Sequence, residues 1–170
     1  MSTNTPQKTK KSYRTGKGRF RSIFERKIAD NFRSKGVKYD YEREKYVWYS
    51  EGRNAILCPN CGEIRGMVKR HYTPDFFIRE TGVVIEAKGR LTRQDRQKLT
   101  DITKRYPELD LRILFQTDAV FSTSSGSKNK RGITNSQWCI ENEIRWAVAG
   151  REGKHIPDDW LFNNNSFLEK

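Results

Sequence analysis

The chain has 170 residues, of which 34 are Lys or Arg and 21 are Asp or Glu, so its formal net charge is +13. That length suits one globular domain. No apolar run approaches the roughly 18 residues of a membrane span, there is no apolar secretion signal, and three cysteines do not make a disulfide scaffold. We therefore expect a cytoplasmic protein with no membrane partner. The charge favours a polyanionic partner, most commonly nucleic acid, over a merely soluble basic protein.

The positive charge is concentrated at the N-terminus. Residues 1–21 contain seven basic residues and no acidic one, and they are rich in Ser, Thr and Gly. We predict that residues 1–19 form a disordered basic DNA-binding arm, with a solubilising tail as the alternative. Residues 20–162 form the predicted folded domain, and 163–170 a flexible tail. The predicted phosphate contacts of the arm are Lys8, Lys10, Lys11, Arg14, Lys17, Arg19 and Arg21.

The first half of the domain is predicted to contain one helix followed by strands. Ser22 and Glu25 have the spacing of a capping box, and apolar residues recur every four positions as far as Phe32. The helix is predicted to end at Lys35-Gly36, where a glycine follows a cation. Strands are predicted at 37–41 and 45–49, ahead of a polar stretch at 50–70.

The second half is predicted to complete a mixed sheet. Strands are expected at 71–78 and 82–88, joined by a turn at 79–82, and a strand buried on both faces at Leu111–Phe115. Thr92 caps a helix predicted over 92–106. A mobile loop at 122–135, a helix from about residue 136, a strand at 144–147 and a docking segment at 156–161 follow. This order predicts an α/β fold with a mixed central sheet flanked by helices.

Acidic and basic side chains gather at one end of the predicted hairpin. Alternation along 82–88 places Glu86 and Lys88 on one face and an apolar set on the other. Pairing with 71–78 brings Asp75 towards Glu86. Two carboxylates in an apolar setting repel each other, and Mg²⁺, which prefers oxygen ligands, offsets both charges. With Lys88 stabilising developing negative charge, these residues predict a metal-dependent phosphodiesterase site; a surface salt-bridge cluster is the alternative.

Glu25 is the third acidic residue that this site could include. It lies about 60° from the centre of the apolar stripe of the first helix, so its carboxylate could reach the sheet on which the helix packs. It could equally do no more than complete the capping box with Ser22. The spacing alone leaves both interpretations open.

The sequence resembles the phage endonuclease I family of Holliday-junction resolvases. Pro74-Asp75 followed by Glu86-Ala87-Lys88 is similar to the PD-(D/E)xK nuclease signature. The resemblance runs from about residue 20 to 161. Its other segments are Phe20-Arg21-Ser22, Lys35-Gly36-Val37-Lys38-Tyr39, Tyr72-Thr73-Pro74-Asp75-Phe76, Tyr106-Pro107-Glu108-Leu109-Asp110, Trp138-Cys139 and Ile156-Pro157.

The resemblance implies a structure-selective DNA endonuclease that resolves four-way junctions, with its nuclease domain at 20–162. It implies that Glu25, Asp75, Glu86 and Lys88 are catalytic, and that the three acidic residues bind one or two Mg²⁺ or Mn²⁺ ions. It also implies an intertwined homodimer in which Glu25 comes from one chain and the other three residues from its partner. Alternatives are a nicking or degradative endonuclease of the same fold, and a non-catalytic basic DNA-binding protein.

The stretch 50–70 departs from the family pattern because it is longer and contains Cys58-Pro59-Asn60-Cys61-Gly62. Two thiolates on a tight turn can hold one side of a tetrahedral zinc ion. A second such pair is missing from the chain. His71 is a candidate third ligand, and a dimer could instead bring two cysteine pairs together. A metal-free hairpin with reduced thiols is the alternative to a structural zinc site.

Basic residues close to the predicted site in sequence are expected to form the DNA face of the domain. They lie at predicted strand ends, at the start of a helix or in the 122–135 loop, where they could orient the arms of a duplex. Taken singly, each could also be an ordinary solvated surface charge. These residues are Lys69, Arg70, Arg90, Arg93, Arg96, Lys128, Lys130 and Arg131.

Overall fold

The computed structural model describes residues 20–121 and 132–163. In this part of the chain three α-helices surround a mixed sheet, which confirms the predicted α/β class. The helices are α1 (Ile23–Ser34), α2 (Arg93–Arg105) and α3 (Asn135–Glu141), and a 3₁₀ turn covers Asp158–Trp160. The strands are β1 (Tyr39–Tyr41), β2 (Tyr46–Leu57), β3 (Ile64–Tyr72), β4 (Phe76–Ile78), β5 (Val84–Lys88), β6 (Leu111–Phe115), β7 (Val120–Phe121), β8 (Ile133–Thr134) and β9 (Arg145–Val148).

The central sheet has five strands in the order β1-β4-β5-β6-β9. β4 pairs antiparallel with β1 on one side and with β5 on the other, and a short turn joins β4 to β5. β5, β6 and β9 are parallel, and helices α2 and α3 lie in the crossover connections between them. The sheet is therefore antiparallel at one side and parallel at the other, and β5 belongs to both halves.

Each face of the sheet packs against a different set of helical residues. On one face, Phe24, Ile28 and Phe32 of α1 pack against Ile85 and neighbouring apolar side chains. On the other face, residues of α2 and α3 cover Val84, Ile113 and Phe115. The predicted alternation along β5 is confirmed, since Val84 and Ile85 belong to different cores. All five residues of β6 are buried, as the sequence predicted.

Caps account for the helix boundaries next to the predicted site. The Ser22 hydroxyl accepts a hydrogen bond from the Glu25 amide at the start of α1, as the spacing predicted. Thr92 and Asp95 form a complete capping box at the start of α2. Gly36 has φ +71° just beyond the end of α1, a conformation that glycine adopts at low cost.

Two of the predicted boundaries are wrong. The strand predicted at 45–49 continues into the polar stretch 50–70, most of which belongs to β2 and β3, a separate two-stranded antiparallel hairpin. Most of this hairpin is exposed on both faces, so no apolar alternation revealed its strands. The single strand predicted at 71–78 is divided into β3 and β4, because residues 73–75 lie in an irregular segment around Pro74.

The C-terminal part follows the prediction with one addition. β7 and β8 pair at the ends of the loop predicted at 122–135, and residues 122–131 of that loop lie outside the described residues. Ile156, Trp160 and Leu161 are buried in the core on the α1 face, which confirms the docking segment. The arm at 1–19 and most of the predicted tail also lie outside the described residues. Among those described, no helix is long and apolar enough to cross a membrane.

Candidate active site

The antiparallel pairing of β4 with β5 brings Asp75 and Glu86 together. Phe76 pairs with Ile85 in this register, so Asp75 lies opposite Glu86 at the end of the strand pair. The Asp75 carboxylate accepts a hydrogen bond of 2.8 Å from the Ala87 amide. Asp75 is only 9% exposed and Glu86 only 4%. The structure thus brings the two predicted carboxylates together and buries both of them.

Two neighbours hold the Glu86 carboxylate in place. The Tyr72 hydroxyl donates to one Glu86 oxygen at 2.8 Å, and the Lys88 ammonium lies 2.9 Å from the other. Burial and the negative charge of Glu86 raise the pKa of Tyr72 well above its usual value, so its hydroxyl remains a hydrogen-bond donor at neutral pH. Each carboxylate oxygen has a second lone pair, so these contacts leave Glu86 able to bind a cation.

Lys88 also forms an ion pair with Asp95 at 2.9 Å. Burial lowers the pKa of Lys88, but Glu86 and Asp95 outweigh that effect and raise it above its usual value. Lys88 is therefore a cation throughout the neutral range. Sequence reasoning did not assign Asp95 to the site; the available signal was its capping-box spacing from Thr92, which anchors the helix next to the strand that carries Lys88.

Burial and the neighbouring acidic groups both act on the pKa of Asp75. Burial and the nearby Glu86 charge raise the pKa of Asp75 to about 8, against the opposing effect of the Ala87 hydrogen bond. Glu25 adds to this repulsion and Lys88 reduces it. Without a compensating cation, Asp75 is therefore largely protonated at pH 7.

Glu25 both takes part in the cap of α1 and faces the site. Its carboxylate accepts hydrogen bonds from the Ser22 hydroxyl at 2.7 Å, from the Arg21 amide at 3.2 Å and from the Tyr41 hydroxyl. Glu25 is only 7% exposed, and it is close enough to raise the pKa of Asp75 in the same chain. Capping and proximity to the site are therefore compatible roles for this residue.

The donor set suits a small divalent cation. Within residues 20–121 and 132–163, no three His, Cys, Asp or Glu side chains come close enough together to hold one ion. Asp75 and Glu86 thus form a two-carboxylate set, and Glu25 does not complete a three-carboxylate cage. Mg²⁺ commonly takes one or two carboxylates and fills its shell with water and substrate oxygens. Two buried, mutually repelling carboxylates fit Mg²⁺ or Mn²⁺ in that manner.

Comparison with known proteins agrees with the motifs that surround this site. The model of the family described as phage endonuclease I matches residues 5–169. The chain belongs to the phage endonuclease I family. Endonuclease I of Escherichia phage T7 is 32% identical over 146 residues, covering 85% of this chain and 79% of that protein. Endodeoxyribonuclease 1 of Enterobacteria phage T3 is 35% identical over 149 residues, covering 82% of this chain and 83% of that protein.

The basic residues of this phage endonuclease I family member are placed in different ways. Lys69 and Arg70 are exposed on β3, Arg90 is exposed between β5 and α2, and Arg93 is exposed at the first position of α2. Arg96 instead contacts protein, since its guanidinium stacks 4.1 Å from the Phe121 ring centre and donates to the Leu91 carbonyl. Arg21 is exposed and pairs with Glu42 at 2.7 Å. Outside the described residues are Lys8, Lys10, Lys11, Arg14, Lys17, Arg19, Lys128, Lys130 and Arg131.

The predicted zinc ligands are divided between the two ends of the β2–β3 hairpin. Cys58 and Cys61 lie in the turn at its tip, whereas His71 pairs with Val47 at its base. His71 is seven positions along the strand from Ile64 beside the turn, a distance of roughly 23 Å. Within one chain, His71 is therefore not brought to the two cysteines. Cys139 is buried in α3, and burial raises its pKa to about 12.

Proposed function

We propose that this chain is a metal-dependent endodeoxyribonuclease that resolves four-way (Holliday) junctions and other branched DNA by phosphodiester hydrolysis. Two relatives with the names endonuclease I and endodeoxyribonuclease 1 support the coarser class of a phage DNA endonuclease. The observation that carries the proposal is the buried pair of Asp75 and Glu86, with the Lys88 ammonium 2.9 Å from the Glu86 carboxylate. We assign this arrangement to the PD-(D/E)xK class of nucleases.

Each side chain has a distinct part in the proposed reaction. Asp75 and Glu86 would hold Mg²⁺ or Mn²⁺, which when bound polarises the scissile phosphate and lowers the pKa of a coordinated water. Lys88 supplies a permanent positive charge where negative charge develops on the phosphate oxygens. Tyr72 is a positioning residue, because its hydroxyl fixes one oxygen of Glu86. Asp95 likewise orients Lys88 from the start of α2.

The proposed activity can be tested with three DNA substrates of the same sequence context: linear duplex, nicked duplex and a four-way junction carried as a plasmid cruciform. We expect Mg²⁺-dependent cleavage of the junction, none in EDTA, and a loss of about 10³-fold or more for Asp75→Ala or Glu86→Ala with junction binding retained. Preferential cleavage of linear or nicked DNA would favour the degradative or nicking alternative. Junction binding without cleavage in Mg²⁺ or in Mn²⁺ would favour a non-catalytic DNA-binding protein.

We further propose that Glu25 is catalytic and that the enzyme is an intertwined homodimer in which the partner supplies this residue to each site. If two chains exchange the identical segments that contain Glu25, each Glu25 has the same surroundings as within one chain, but the partner chain provides those surroundings. The test mixes Glu25→Ala chains with Lys88→Ala chains after unfolding and refolding them together. With exchange, a mixed dimer contains one intact site and regains single-strand nicking of the junction. Without exchange, both sites in every mixed dimer lack one residue and the mixture stays inactive.

A further inference from the structure

The tip of the β2–β3 hairpin is a tight turn that contains both Cys58 and Cys61. The Gly62 amide donates to the Cys58 carbonyl at 2.9 Å, and the Cys58 amide donates to the Glu63 carbonyl at 2.8 Å. Cys58 and Cys61 are therefore three positions apart on one hydrogen-bonded turn, a spacing at which two thiolates can hold one side of a tetrahedral zinc ion.

Every cysteine and histidine of the chain lies within the described residues, so the supply of soft ligands can be counted. The chain has three cysteines and two histidines. Cys139 is buried in α3, and His71 is at the far end of the hairpin. In the described chain, no third His, Cys, Asp or Glu joins Cys58 and Cys61 in a metal-binding group. One chain therefore provides half of a tetrahedral thiolate site.

The surroundings of the turn leave it open to a second copy. Cys61 is exposed, and the space around the Gly62 Cα is free of neighbouring atoms. Ile56, Leu57 and Ile64 flank the turn, and all three are exposed, the first by 67%. An apolar rim around two outward-facing thiols suits contact with an identical surface, in which each rim would cover the other.

We propose that the hairpin tips of two chains share one structural Zn²⁺, bound by Cys58 and Cys61 of each chain. Four sulfur ligands satisfy the tetrahedral preference of zinc, and a twofold axis through the ion relates the two turns. Binding displaces the thiol protons to solvent and changes no oxidation state. The site is independent of the carboxylates that carry the proposed hydrolysis.

The test measures metal content and coordination in the full chain, purified without chelator and with Zn²⁺ in the growth medium. We expect about 0.5 zinc per chain by elemental analysis, and a native mass of two chains plus one zinc. Replacement by Co²⁺ should give the visible absorption of tetrahedral thiolate coordination. Cys58→Ser and Cys61→Ser should each abolish the bound zinc and the Co²⁺ absorption. Cys139→Ala, His71→Ala and Asp75→Ala should retain both.

Several results would overturn this assignment. Absence of zinc, one zinc per chain, or a Cys58–Cys61 disulfide in protein handled under reducing conditions would each exclude a shared site. Retention of zinc in Cys58→Ser would place the metal elsewhere. Because the readout is metal content rather than cleavage, failure of the zinc proposal would leave the nuclease proposal standing. Conversely, protein that contains about 0.5 zinc per chain but cleaves no DNA would support the zinc site and contradict the nuclease proposal.

Discussion

The central sheet and the β2–β3 hairpin use strands in opposite ways. The strands of the sheet are short, at three to five residues, but β5 and β6 are almost completely covered by the helices on both faces. The hairpin strands have 12 and 9 residues and are largely exposed. Contacts on both faces hold Asp75 and Glu86 in a low-dielectric environment, and burial there raises the pKa of Asp75. The hairpin is held mainly by its own ladder and presents charge and thiols to solvent.

Buried contacts join the two regions near the base of the hairpin. Trp48 and Tyr72 are buried against the α2 face of the sheet, and the Tyr106 hydroxyl donates to the Val47 carbonyl at 2.7 Å. Tyr72 links the regions directly, because it ends β3 and also holds Glu86. We therefore expect the proposed hydrolysis to depend on the sheet and DNA affinity to depend on the exposed hairpin.

The largest expected contrast is between two lysines, Lys88 of the sheet and Lys69 of the hairpin. Lys88→Ala should lower the single-turnover cleavage rate about 10²- to 10³-fold with little change in junction affinity, because the lost charge acts in the transition state. Lys69→Ala should leave the rate at saturation unchanged, weaken binding a few-fold and reduce the salt slope of binding by about 1.

Cleavage rates at saturating enzyme and binding curves at several salt concentrations measure both effects. Matched folding of the two variants is checked by circular dichroism. An effect of Lys88→Ala on affinity alone would reassign Lys88 to DNA binding, and an effect of Lys69→Ala on the rate constant would show that the hairpin takes part in chemistry.

A smaller contrast concerns protonation of a buried and an exposed carboxyl group in metal-free protein. The folded-state pKa of Asp75 is about 8, above its ordinary value of 3.8. Between these two pH values the native state therefore binds more protons than the unfolded state. The free energy of unfolding falls as pH rises through that window. We expect Asp75→Asn to stabilise the protein by about 1–3 kcal/mol more at pH 8 than at pH 5.

The matched control is Glu51→Gln, since Glu51 is exposed on the hairpin. It should change the free energy of unfolding by less than about 0.5 kcal/mol at either pH. Urea unfolding in EDTA at pH 5 and pH 8 measures how much each substitution changes the free energy of unfolding at the two pH values. Equal pH dependence in the two variants would contradict the raised pKa of Asp75.

Several parts of the site could be predicted from the sequence because they depend on local spacing. The turn at 79–82 sets the β4–β5 register, and alternation along β5 then decides which residues share the face of Glu86. Tyr72 and Asp95 were not assigned to the site, because each reaches it across a tertiary contact: one from the end of the hairpin, the other from the cap of α2. The strand character of 50–70 was missed because exposed strands have no apolar period.

By itself, the sequence determined the family, the helix caps, the buried strand Leu111–Phe115 and the placement of Asp75 opposite Glu86. These features follow from periodicity, turn length and motif spacing, which act over a few residues. Only the tertiary structure decided how deeply the carboxylates are buried, which side chains hold Glu86 and Lys88, and that His71 lies far from Cys58 and Cys61. Burial and contacts between distant segments depend on the packing of the whole chain, and no local pattern encodes them.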